Sequence, residues 1–135
     1  WVTPEAEQRR FDARFFLARA PLGQEGESDD REALKVYWAS PSQLLAECQR
    51  GAITLFPPTH RTLELLVGAR TVEAAMTLPS RTTLEVICPR FVLEAGLPVL
   101  ALPGDPAHEV KTPRIPGGSR YVLDDGRWIS RNSPS

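Results

Sequence analysis

Cysteine is scarce in this chain: Cys48 and Cys88 are the two in 135 residues. That excludes a disulfide framework and any zinc spacing built on paired thiolates. A Cys48–Cys88 bridge is the one pairing open, and nothing in the pattern supports it. Both read as small buried hydrophobes of a reducing compartment, which makes the cytoplasm the expected location. A charge surplus is also missing, with 16 basic against 17 acidic residues and a formal net charge of −1. Broad electrostatic capture of nucleic acid is therefore not expected. No apolar run approaches the roughly 18 residues of a membrane span, and no signal peptide is visible. There is no P-loop, no Ser-His-Asp order, no internal repeat and no low-complexity tract. Gly117-Gly118 is a bare glycine pair, too little to read as a phosphate loop.

What is present is enough apolar content, 41%, for one domain-sized core but not two. Proline and glycine divide it into an α/β order. From Arg10 to Ala18, charges and apolar residues alternate as in a strand: Arg10, Asp12 and Arg14 on one face, Phe11, Ala13, Phe15 and Leu17 on the other. A solvated edge strand accounts for that alternation, and so does a face that reads a ligand; Phe15 belongs to the core face in either case. Pro21 to Asp30 is an acidic, glycine-containing loop, and Leu34, Val36 and Trp38 alternate as a half-buried strand. Ser40-Pro41-Ser42-Gln43 is a helix start with a capping box, Leu44, Leu45 and Cys48 its buried stripe, Gly51 its stop. A second helix is expected from Thr59, as its cap, to Val67, and a shorter helical turn from Thr71 to Met76.

Beyond Ser80 the character turns to β. Thr82 to Cys88 alternates as a strand that extends past Pro89 to Leu93, and Leu97 to Leu102 is a short apolar strand. Tyr121–Asp124 and Arg127–Ile129 flank Asp125-Gly126, the clearest hairpin signal. Residues 132–135 should fray. Two segments follow, 1–79 and 80–135, the second a small β-hairpin appendage on the first.

The segment Trp1-Val2-Thr3-Pro4, then Arg10-Phe11-Asp12-Ala13-Arg14-Phe15-Phe16, then Val36-Tyr37-Trp38 and Gly51 to Thr59, resembles the stretch just downstream of the Nudix box in Nudix hydrolases. The branch that includes the peroxisomal coenzyme A diphosphatases is the nearest in wording. The resemblance implies the C-terminal portion of a Nudix-type α/β/α sandwich, with mixed sheet strands and C-terminal helices. It also implies cleavage of a pyrophosphate bond in a nucleoside diphosphate derivative, coenzyme A-type compounds included, with Mg²⁺ or Mn²⁺ neutralising the phosphates and activating water. The box itself, a Gly and an Arg-Glu-x-x-Glu-Glu helix, is not in this sequence. Arg31-Glu32 is followed by Lys35-Val36 where two carboxylates should stand. The chain opens on Trp1, so the metal ligands are expected upstream, no catalytic residue can be assigned, and no metal ligand is carried over.

Candidate substrate contacts are Arg10 and Arg14, with Asp12 orienting one of them, and the corner Phe56, Thr59 and Arg61, where a helix start could favour an anion. An Arg–Asp cross-strand pair and a plain capped helix explain the same residues. His60 reads as an exposed helix residue. Asp105, His108 and Glu109 read as a solvated turn. Expected partners are a nucleoside diphosphate-type small molecule and the upstream Nudix half, with homodimerisation open and neither nucleic acid nor membrane involved. The alternative function is a box-less Nudix-like module for binding or dimerisation.

Overall fold

The computed structural model describes residues 1–23, 38–82 and 85–133. The acidic loop beyond Gly23, the Leu34–Tyr37 part of the expected strand, Thr83-Leu84 and the last two residues lie outside them. The described residues combine helices with a four-stranded antiparallel sheet, an α/β architecture in the general sense. No helix among them is long and apolar enough to cross a membrane.

Helix α1 spans Pro41–Gln49. Its start is set by reciprocal hydrogen bonds: Gln43 N–H donates to Ser40 Oγ at 3.3 Å, and Ser40 N–H donates to Gln43 Oε1 at 2.9 Å. Helix α2 spans Pro57–Val67, beginning earlier than Thr59, and its N-cap is Phe56 without a side-chain cap. Pro57 and Pro58 occupy the first positions, where a missing N–H leaves nothing unpaired and φ is already helical. Helix α3, Val72–Met76, starts on Thr71, whose Oγ1 accepts from Ala74 N–H at 3.1 Å. A single 3₁₀ turn follows at Leu78–Arg81. Helices α1 and α2 pack on one another.

The sheet is a meander: β1 Arg90–Glu94, β2 Leu97–Ala101, β3 Arg120–Asp124 and β4 Arg127–Arg131, paired in chain order. Its two tight hairpins turn on Ala95-Gly96 (φ 49° and 80°) and Asp125-Gly126 (φ 48° and 72°). Two successive left-handed residues match the twist of the flanking strands. One face of the sheet carries Leu100 and Tyr121, which pack with Ile87 and Leu102 against Trp1, Ile115 and Trp128.

The core therefore lies in the region expected to be an appendage. The strand expected over Arg10–Ala18 is not formed. An isolated bridge, Val2 to Asp12, is all that pairs there, with Trp1 N–H and Ala13 N–H exchanging bonds with each other's carbonyls. Alternation prepares a strand but only a neighbouring strand completes it, and Trp1–Thr3 is a short neighbour. Phe11, Phe15 and Phe16 are consequently exposed, and Phe15 is not a core residue. Residues 85–88 likewise remain outside the sheet, with Ile87 O accepting from Val2 N–H at 2.8 Å.

Candidate binding clefts

Two clefts meet along the N-terminal segment and share Trp1 and Ala13 in their walls. The first, of about 550 Å³, runs between Asp12–Leu17, the α2 side chains Thr62, Leu65 and Leu66, and the Leu78-Pro79 turn. The second, of about 630 Å³, is floored by Phe11, Phe56, Phe91, Leu100 and Trp128. Both are mostly apolar, as small-molecule clefts usually are. In the first, Asp12 and Arg14 supply charge beside Phe15 and Phe16, and Glu85, paired with Arg114 at 3.5 Å, also lines it.

The six residues singled out from the sequence are thus dispersed. Asp12 and Arg14 share the first cleft, and Phe56 lines the second. Arg10 lines neither: its Nε donates to Thr3 O at 3.0 Å and its Nη2 lies 3.8 Å from Cys88 Sγ. Thr59 is exposed outside both. Arg61 is fully buried. Its Nη2 donates to Gly118 O at 2.7 Å and Ser130 Oγ at 3.1 Å, Nη1 donates to Pro116 O at 3.3 Å, and Glu64 pairs with it at 2.7 Å. A helix periodicity places Arg61 one turn in but is silent on which side the sheet will cover. Cys48 and Cys88 are free and half-buried.

The polar groups that organise the interior escaped the sequence. Asp105 is fully buried, not solvated, and makes a bidentate pair with Arg120, Nε to Oδ2 at 2.8 Å and Nη2 to Oδ1 at 2.6 Å. Burial raises the Asp105 carboxyl, but the hydrogen bonds from Arg120, Ser119 and Ala107 outweigh it and hold it below its ordinary value. Arg120 also binds Glu94 across the sheet face. His108 is buried as well: Nε2 lies 2.9 Å from Cys88 O, and Nδ1 accepts from Val110 N–H at 2.9 Å, which fixes the proton on Nε2. Glu109 is solvent-facing, paired with Arg90 at 3.1 Å. His60 is not an exposed helix residue, for its Nδ1 meets Tyr121 Oη at 3.1 Å. Burial lowers its affinity for a proton, and burial pushes the Tyr121 phenol well above its usual range. The Gly104-Asp105-Pro106 turn, followed fifteen residues on by Ser119-Arg120, was the available signal for the ion pair.

The divalent ion implied by the Nudix resemblance finds no ligand set here, since no group of three or more His, Cys, Asp or Glu residues is placed to hold a metal among the described residues. What the first cleft can do chemically is bind: an apolar floor for a flat group, a guanidinium for an anion, a carboxylate for a hydroxyl or amine. No protein-family model, curated protein or solved structure matches this chain.

Proposed function

We propose that this chain is the substrate-binding portion of a Nudix-type pyrophosphohydrolase acting in the cytoplasm on a nucleoside diphosphate derivative, coenzyme A-type compounds included. In this reading residues 1–79 belong to an α/β/α sandwich completed by an upstream segment, which holds Mg²⁺ or Mn²⁺. The observation that carries it is the first cleft, where Asp12 and Arg14 stand together beside the apolar wall of Phe15, Leu65 and Leu66. A nucleobase stacks on such a wall while a phosphate takes the guanidinium. A second reading is a box-less Nudix-like module for binding or dimerisation, supported by the missing Arg-Glu-x-x-Glu-Glu pattern.

Titration of the 135-residue protein with ADP-ribose, NADH and coenzyme A, followed by amide NMR shifts, tests the site. Saturable shifts are expected at Ala13, Thr62 and Leu66 for at least one of them. Arg14→Ala should weaken that binding roughly ten- to hundredfold, the worth of a charged hydrogen bond of about 1.5–3 kcal/mol. Unchanged affinity in Arg14→Ala, or no binding of any nucleotide, would remove the assignment.

A further inference from the structure

The outer side of β1 is an edge among the described residues, and its sequence is built to meet itself. We infer that β1 pairs antiparallel with β1 of a second copy about a two-fold axis at Val92, joining the two sheets into one. The two-residue turn at Ala95-Gly96 makes Glu94 and Leu97 the closing hydrogen-bonded pair of the β1–β2 hairpin. By alternation Arg90, Val92 and Glu94 direct their backbone groups to β2, while Phe91 and Leu93 direct theirs outward.

Centred on Val92, the pairing sets Phe91 against the second copy's Leu93, so that both outward-facing residues exchange N–H···O=C bonds. The same register sets Arg90 against the second copy's Glu94 at both ends, in the closely spaced positions where side chains interact most. Glu94 gives Oε2 to Arg120, which leaves Oε1 for the incoming guanidinium, and Arg90 turns to it from its solvent-exposed pair with Glu109. Phe91 is 42% exposed and Leu93 67%, an apolar strip that the pairing covers.

The opposite edge gives the contrast. Strand β4 centred on Ile129 would set Arg127 against Arg131 of a second copy, a like-charge pair at each end. Edge strands are ordinarily guarded by such repulsion, by lysine or by proline, and β1 has no such guard within it. Its length of five residues is short for a permanent interface, so association is weak and concentration-dependent.

Sedimentation velocity of the full chain across a concentration series tests this. The wild type should shift from monomer to dimer. Arg90→Glu and Glu94→Arg should each weaken the dimer by about tenfold or more, and an equimolar mixture of the two proteins should recover it, because opposite charges again face one another. Leu93→Pro removes an outward N–H and should abolish association while leaving the melting temperature near wild type. If Glu94→Arg disturbs folding through Arg120, the Arg90→Glu and Leu93→Pro proteins decide the matter. A wild type that stays monomeric, or folded Arg90→Glu and Leu93→Pro proteins that dimerise like it, would overturn the inference.

Discussion

Burying the Arg61 guanidinium forfeits several kcal/mol of hydration, and the chain offsets it with the Gly118 carbonyl, the Ser130 hydroxyl and the Glu64 carboxylate. Gly117 makes the approach possible: at φ +105° a Cβ would stand 1.7 Å from Arg61 Nη1. Arg61→Met should therefore lower the unfolding free energy by about 3–5 kcal/mol, leaving Glu64 and the loop carbonyls without their donor. Gly117→Ala should cost about 2 kcal/mol or more by clash and backbone strain together. Urea denaturation measures both, and a Gly117→Ala protein within ~0.5 kcal/mol of wild type would show that this cradle is dispensable. Acid should act on the same interior in two stages. His60 binds a proton less readily when folded than at its ordinary value of 6.5, so the unfolded chain takes up the proton first and stability falls once the pH drops below 6.5. Asp105 is held below its ordinary 3.8, so its contribution is intact above that value and is lost as the pH falls through it toward the folded one. Melting temperature against pH should show both declines, and His60→Phe should remove the upper one alone.

At the scale of elements, what is local was readable and what is distant was not. The α1 capping box, the Thr71 cap and the Asp125-Gly126 hairpin each depend on residues within four positions of one another, so the sequence carries them whole. The Arg10–Ala18 alternation and the burial of Asp105 against Arg120 depend on what folds beside them, and neither is legible in the local pattern for that reason. Phe56 in place of Thr59 at the α2 N-cap shows the same rule in small: two prolines fixed the first turn before any side-chain cap was needed. Helix α1 buries no residue fully, so its cap bears an unusual share of its stability. Ser40→Ala should cost about 1 kcal/mol. The loss should appear as faster amide exchange confined to Ser42–Leu45, and uniform destabilisation of the sheet would contradict it.

Across the whole molecule, the described core is small and the apolar surface large. Phe11, Phe16, Trp38, Phe56 and Leu93 are each more than half exposed, an extent that marks contact surfaces in soluble domains. The β1 edge accounts for Leu93, the second cleft takes Phe11 and Phe56, and the first takes Phe16. Pyrophosphate hydrolysis of the Nudix kind needs carboxylates set on one helix to position a divalent ion, and the Arg-Glu-x-x-Glu-Glu pattern that would do so is not among these residues. The isolated 135-residue protein, supplied with Mg²⁺ or Mn²⁺, should bind nucleotides in the Asp12–Arg14 cleft yet release no phosphate product from ADP-ribose, NADH or coenzyme A. Product analysis by chromatography after prolonged incubation checks this, with binding measured on the same sample so that a misfolded preparation is recognised. Turnover in the ordinary enzymatic range of about 1–1000 per second would mean that the catalytic carboxylates lie within this chain, and the first place to seek them would be the acidic run from Glu25 to Glu32.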